Sequence, residues 1–105
     1  MREPQYQSKL IRKLRAMFPG CVILKNDPSY LQGVPDILIL YRNRWAMLEV
    51  KMDRGVHHQP NQDYYIDLLN DMSFAAIINP TNEEEVLDAL QLAFGAIRST
   101  RISES

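Results

Sequence analysis

Residues 33–51 of this 105-residue chain, GVPDILILYRNRWAMLEVK, contain the clearest structural pattern in the sequence. Two apolar runs flank the polar turn Arg42-Asn43-Arg44, and both runs are rich enough in Ile, Leu and Trp to form strands. The pattern therefore predicts a β-hairpin. Because Ile37 to Leu40 is apolar on both faces, we expect a central strand with a helix on each side, or with a helix on one side and a partner subunit on the other.

Charged residues lie at the open end of this hairpin. If the loop is Arg42-Asn43, antiparallel pairing sets Asp36 opposite Glu49, with Cβ atoms about 5 Å apart, where like charges repel. Lys51 projects from the same face of the strand as Glu49. A divalent cation between the carboxylates is the functional interpretation, because Mg²⁺ binds one or two carboxylates plus water and substrate phosphate. The structural alternative is a surface salt bridge from Lys51, worth about 0–1 kcal/mol.

These motifs carry a resemblance to a known superfamily. Pro35-Asp36 followed by Glu49-Val50-Lys51 resembles the signature of the PD-(D/E)xK nucleases. Within that superfamily the chain is most similar to VRR-NUC domains of the stand-alone viral and bacterial type. Those domains show Gly-x-Pro-Asp, a hydrophobic hairpin, Glu-x-Lys and then Pro-x-Gln at the start of a helix, here Pro60-Asn61-Gln62. The resemblance extends from about Glu3 to Leu90.

The resemblance implies a fold and an activity. The fold would be α/β, with a restriction-endonuclease-like αβββαβ core, a mixed sheet flanked by helices, and here an extra C-terminal helix. The activity would be that of a Mg²⁺-dependent DNA endonuclease, with Mn²⁺ as a substitute, leaving a 5′-phosphate and a 3′-hydroxyl. The implied catalytic residues are Asp36, Glu49, Lys51 and Gln62, and the implied metal ligands are Asp36, Glu49, the Val50 carbonyl and Glu3.

The place of Glu3 departs from the pattern. In the related nucleases a glutamate early in helix one completes the metal site, and Glu3 is the residue that fits this place. It lies next to Pro4 at the very start of the chain, so an N-terminal helix cap is the alternative.

Composition limits the class of protein. Hydrophobic residues make up 46% of the sequence, which is typical of a folded domain. We expect one domain over residues 1–98 and a disordered tail over 99–105. No apolar run approaches a membrane span, and the N-terminus lacks a signal peptide, so we expect a cytoplasmic protein of a bacterium or a virus-infected host cell. Cys21 has no cysteine partner for a disulfide or a structural zinc site.

Charge is divided unevenly along the chain. Residues 1–54 contain ten Lys and Arg against five Asp and Glu, whereas residues 55–105 contain two against eight. The basic half holds the proposed site, as a surface facing phosphates would require. Part of this charge lies on one side of helix one, which carries Lys9, Arg12, Lys13 and Arg15. This side could either face solvent or contact the phosphates of a nucleic acid.

Periodicity and breakers predict the order α-β-β-β-α-β-α. Helix one should run from Pro4 to Phe18, and helix two should open at Pro60. Thr81 should cap helix three, with Glu84 reaching back, and Ile97 should belong to its apolar stripe. The remaining strands should be Cys21 to Lys25 and Phe74 to Ile78.

Several polar residues outside the hairpin could touch substrate. Tyr30 and Gln32 lie in the loop before Asp36, although decoration of that loop is the simpler interpretation. His57 and His58 are adjacent, so on an extended chain they point opposite ways and would not share one ion. One of them could contact a phosphate.

Three classes of function follow. The first is a nuclease, which we expect to be a homodimer that cuts branched DNA such as four-way junctions, since one domain makes one nick; a DNA-end nuclease is its variant. The second is a catalytically silent nucleic-acid-binding module. The third is a structural or interaction protein in which the hairpin charges form only a salt bridge.

Overall fold

Seven elements follow one another in the predicted order. The computed structural model describes residues 1–52 and 60–95. Its elements are α1 (Glu3–Met17), β1 (Val22–Lys25), β2 (Ile37–Tyr41), β3 (Arg44–Val50), α2 (Pro60–Met72), β4 (Phe74–Ile78) and α3 (Glu83–Phe94). Among the described residues, no helix has the length and apolar character needed to cross a membrane.

The sheet is mixed, with strand order β1-β2-β3-β4. β1 and β3 both pair antiparallel with β2, and β4 pairs parallel with β3. Tyr41 lies opposite Arg44, and the β2–β3 ladder continues to the pair Ile37–Leu48. Arg42 has a φ of 58°, the left-handed conformation that a tight hairpin turn requires. The predicted hairpin register is therefore confirmed, and Asp36 and Glu49 are the next pair beyond this ladder.

One face of the sheet carries the core. α1 and α3 both cover this face. The rings of Phe18, Tyr41 and Phe94 pack against one another there, with centroids 5.0–5.5 Å apart. Alternate residues of the strands fill the rest, as the two-residue period of a strand requires. The main members are Tyr6, Leu10, Leu14, Phe18, Ile37, Ile39, Tyr41, Ala46, Leu48, Val50, Ile78, Val86, Leu87, Leu90 and Phe94.

The opposite face is covered only in part. α2 packs there against β4, and none of its described side chains is fully buried. On the β1–β2 half of this face, Val22, Leu24 and Leu40 remain 50%, 47% and 38% exposed. Among the described residues, helices cover one face of β2 and leave this half of the other face exposed, so the first of the two expected arrangements, a helix on each side, is not found.

The start of α3 corrects the predicted capping box. Asn82, not Thr81, occupies the N-cap position, and no side chain bonds the cap. The buried Asn79 accepts hydrogen bonds from the backbone N–H groups of Thr81 and Asn82, at 2.8 and 2.9 Å. Asn82 Oδ1 in turn accepts from the N–H of Asn79 at 2.8 Å. A reciprocal Asn79–Asn82 turn thus replaces the Thr81 box.

The end of α3 also differs from the prediction. The helix ends at Phe94, and Gly95 follows with a φ of 71°, a left-handed C-terminal cap. Ile97 and the predicted tail at 99–105 lie outside the described residues, as do His57 and His58.

Gly33 brings the loop before β2 against the start of α2. Its φ is 95°, and a Cβ there would lie 2.4 Å from the Cβ and 3.0 Å from the carbonyl carbon of Asn61. Gly20 has a similar φ of 89° but has no atom within 4 Å of the same position. Both glycines therefore need the left-handed backbone conformation, but only Gly33 is also closely packed against another element.

We expect Gly20→Ala to lower the free energy of unfolding by about 1 kcal/mol, because only the positive φ is strained. Gly33→Ala adds a clash with Asn61, so its loss should be roughly 1–3 kcal/mol larger. Urea unfolding of the two variants measures the difference. Equal losses would show that the loop does not need glycine for its contact with α2.

Candidate active site

Asp36 is anchored to the neighbouring strand by its side chain. The residue is half-buried and directly precedes β2. Its Oδ2 atom accepts a hydrogen bond of 2.9 Å from the backbone N–H of Val50, one residue past Glu49 on β3. The Asp36 carboxylate is thus held at the end of the hairpin, where its orientation is set by main-chain geometry.

Glu49 points away from the main core. Its neighbours Leu48 and Val50 face α1 and α3, so alternation turns Glu49 toward α2. The residue is only 4% exposed. Its Oε2 atom accepts a 3.0 Å hydrogen bond from Gln62 Nε2 and lies 3.4 Å from Lys51 Nζ. Two donors, one from α2 and one from the residue after β3, therefore meet at one carboxylate oxygen.

The surroundings of Glu49 disfavour its negative charge. Burial raises the pKa of Glu49, and the charge of Asp36 raises it further. The charge and hydrogen bond of Lys51, together with a hydrogen bond from the backbone of Asp36, oppose this change, and the resulting pKa is about 7. A carboxyl group with this pKa is only partly ionised at neutral pH, and any added positive charge would favour the ionised form.

The structure brings together the four side chains that the sequence proposed as catalytic. Asp36 and Glu49 are coupled by charge, and Lys51 and Gln62 both contact Glu49 Oε2. The Lys51–Glu49 pair is not an exposed surface bridge, because its side chains are only 20% and 5% exposed. The arrangement can hold a hard cation at two carboxylates and offers an ammonium group beside them. The catalytic roles themselves stay predictions.

Val50 and Glu3 are the two remaining proposed metal ligands, and only Val50 lies at the site. Val50 is at the site through its N–H bond to Asp36. Glu3 is exposed in the first turn of α1, and no group of three His, Cys, Asp or Glu side chains in residues 1–52 and 60–95 could hold a metal. Glu3 is not the cap either, because Gln5 Oε1 accepts the N–H of Arg2 at 2.9 Å.

The basic residues of α1 belong to the other layer of the molecule. α1 packs on the face of the sheet opposite Glu49, and Lys13 forms an ion pair with Glu83 at the start of α3. Tyr6 donates to the same carboxylate at 2.7 Å. Although burial raises the pKa of Glu83, the hydrogen bonds from Lys13 and Tyr6 hold it below its usual value. Lys13 thus joins α1 to α3.

The loop before Asp36 contributes one residue, Asn26, that no sequence pattern assigned to the site. Asn26 bonds both Pro35 and Asp36 through their carbonyl groups. A groove of about 600 Å³ separates this loop from α2, and it is lined in part by Asn26, Tyr30 and Tyr65. The only sequence signal for Asn26 was its place at the end of β1, which is not a motif.

The raised pKa of Glu49 predicts a pH dependence of stability in metal-free solution. The unfolded chain loses the Glu49 proton near the ordinary value of 4.5, but the folded protein loses it near 7. Between these values the folded state holds more protons, so the free energy of unfolding falls as pH rises. We expect Glu49→Gln to remove this fall. The free energy of unfolding of the variant, relative to that of wild type, should therefore rise by roughly 1–3 kcal/mol from pH 5 to pH 8.

Urea unfolding in EDTA at both pH values measures this gain. Glu85→Gln is the matched control, because Glu85 is an exposed carboxylate on α3 and should give no such pH-dependent difference. If Glu49→Gln and wild type lose stability in parallel as pH rises, Glu49 is ionised in the folded protein throughout this range.

Comparison with known proteins gives a fold. No protein-family model matches the sequence, and no curated protein matches it. A solved structure described as a VRR_NUC domain protein is similar over 91% of this chain and 90% of its own, with a TM-score of 0.64 and 14% sequence identity. The chain therefore has the α/β fold of that VRR_NUC domain protein.

Proposed function

We propose that this chain is a metal-dependent endonuclease that hydrolyses phosphodiester bonds in DNA. One observation carries the proposal: a buried carboxylate, Glu49, lies beside a second, Asp36, and a lysine at the end of the hairpin. The likeness of fold to a VRR_NUC domain protein supports it, because VRR-NUC domains are a family of nuclease domains. Such a protein would work where DNA is handled, in the cytoplasm of a bacterial or virus-infected cell.

The donor set fits a hard divalent cation. Asp36 and Glu49 supply carboxylate oxygens, which Mg²⁺ and Mn²⁺ prefer, and Mg²⁺ needs only one or two carboxylates when water and phosphate complete its shell. Burial and the charge of Asp36 raise the pKa of Glu49 to about 7, so a cation bound beside it would favour its ionised form. The carbonyl of Val50 is a further candidate ligand on the same strand. Glu3 is not part of this set.

The side chains around the pair have separate tasks. A bound Mg²⁺ would lower the pKa of a water ligand and neutralise charge on the phosphate. Gln62 Nε2 holds Glu49 Oε2 and so fixes the direction of that carboxylate. Val50 N–H does the same for Asp36. Lys51 Nζ, at 3.4 Å from Glu49 Oε2, can orient the attacking water or stabilise charge on the phosphate in the transition state.

Asp36→Asn, Glu49→Gln and Lys51→Met should each lower the single-turnover rate of DNA cleavage in Mn²⁺ by at least about a hundredfold. The amide variants retain an acceptor for the bonds to Val50 and Gln62, so they remove charge while preserving the fold. Lys51→Met should retain most of the DNA affinity, because other basic residues supply general phosphate contacts. Cleavage of a labelled duplex and fluorescence anisotropy measure rate and affinity.

Arg12→Met is the matched control for charge, because Arg12 is exposed on α1 in the other layer. It should leave the cleavage rate unchanged. If Lys51→Met binds DNA poorly but cuts at the normal rate when saturated, the role of Lys51 is binding. If wild type binds DNA and does not cut it in Mn²⁺, the chain is the silent binding module instead.

We further propose that the chain acts as a homodimer on branched DNA. A single site makes one nick, and a two-fold dimer supplies a second at fixed spacing. The uncovered half of the sheet supports a second copy as the partner. On this face the strand pairings align two apolar rows, Val22–Leu40–Trp45 and Leu24–Leu38–Met47. Of these side chains Val22, Leu24 and Leu40 are exposed, whereas Met47 lines the groove beside α2. A contiguous apolar face of this kind is typical of an interaction surface.

Light scattering at micromolar concentration should give twice the mass of one chain, and Leu24→Lys should shift the protein to monomer. Leu92→Lys is the control, because Leu92 is equally apolar and 61% exposed but lies on α3. The dimer should cut a synthetic four-way junction at paired positions in preference to linear duplex. A wild-type monomer that degrades linear ends equally well would favour a DNA-end nuclease.

A further inference from the structure

We propose that Asn26 is a positioning residue that sets the direction of the Asp36 carboxylate at the cation site. The inference deepens the proposed function and rests on it, since it concerns how tightly the Asp36–Glu49 pair binds a cation. Asn26 follows the last residue of β1 and is half-buried. It lies nine residues before Pro35, so no local motif links it to Asp36.

Asn26 holds the two peptide groups that flank the α-carbon of Asp36. Its backbone N–H donates to the carbonyl oxygen of Asp36 at 2.8 Å. Its side-chain Nδ2 donates to the carbonyl oxygen of Pro35 at 2.7 Å. Because these peptide planes lie on either side of one α-carbon, the two bonds together restrict both backbone dihedrals of Asp36. The direction of the Asp36 Cα–Cβ bond is fixed as a result.

That direction matters because the Asp36 side chain has little freedom of its own. Its Oδ2 atom reaches Val50 N at 2.9 Å, and a rotation at the α-carbon would lengthen this bond. Asn26 Nδ2 also lies 3.9 Å from Met47 Sδ, on the strand that carries Glu49. Asn26 therefore links the end of β1, the residues on either side of Asp36, and β3.

The chemistry of the position favours asparagine. The backbone N–H of residue 26 already extends the β1–β2 ladder by donating to Asp36. The Pro35 carbonyl must therefore receive its hydrogen bond from the side chain of residue 26, which has to be short and to carry a donor. Aspartate has the length but no donor when ionised, and alanine or leucine has neither oxygen nor nitrogen in its side chain. Groups that orient metal ligands in this way change metal affinity by about 10–100-fold when they are removed.

The test compares Asn26→Ala with Asn70→Ala. Asn70 of α2 is a matched control, because its Oδ1 accepts the N–H of Ala75 in β4 at 3.0 Å, across the turn that joins the two elements and outside the Asp36 loop. Both variants lose hydrogen bonds made by an asparagine side chain, so both should lose stability. Asn26→Leu, which retains most of the volume, serves as a second variant if Asn26→Ala does not fold.

Two measurements follow. In metal-free protein, the Val50 amide resonance should move upfield and exchange faster in the Asn26 variants than in wild type or Asn70→Ala, because the bond to Asp36 Oδ2 weakens. In calorimetric titration, the Kd for Mn²⁺ should rise about tenfold in the Asn26 variants and stay unchanged in Asn70→Ala.

An Asn26 variant with wild-type Val50 exchange and wild-type Mn²⁺ affinity would overturn the inference, even if its stability falls. A wild-type protein that does not bind Mn²⁺ would instead overturn the proposed function. The Val50 amide would then still decide, without metal, whether Asn26 positions Asp36.

Discussion

The register of the β2–β3 hairpin is the constraint on which the site depends. Because Tyr41 lies opposite Arg44, counting back along the ladder places Asp36 and Glu49 together at its end. A slip of one residue would turn Glu49 to the face that carries the main core. The two-residue turn, with Arg42 in the left-handed conformation, therefore determines which side of the sheet holds the charges. The chemistry of the site follows from this geometry and from the burial of Glu49.

The apolar core and the charged pair lie on opposite faces of the sheet. α1, α3 and the inner residues of the strands form a closed apolar core on one face, where the Phe18, Tyr41 and Phe94 rings pack. α2 covers only part of the other face, and its first turn brings Gln62 to Glu49. A carboxylate with a raised pKa destabilises the folded protein at neutral pH. The core on the opposite face can offset that cost without contacting the charged pair.

Much of this arrangement could be predicted from the sequence, because its signals are local. The turn residues and the apolar runs indicated the hairpin, and Pro60 indicated the start of α2. The predictions were wrong where several nearby polar side chains could make the same hydrogen bond and no motif decides between them. Thr81 has the form of a cap, yet the buried Asn79 accepts the N–H groups at the start of α3. Glu3 fitted a motif but lies exposed at the start of α1, and Asn26 reaches across the loop without any motif.

If the Asp36–Glu49 pair is a site for a divalent cation, a crystal soaked in Mn²⁺ should show the ion there. Anomalous scattering locates manganese without assumptions about activity. We expect one strong anomalous peak within ligand distance of both carboxylates, and its loss in Glu49→Gln crystals soaked in the same way. Soaked wild-type crystals with Lys51 still bonded to Glu49 and no peak between the carboxylates would show that the pair does not bind a divalent cation.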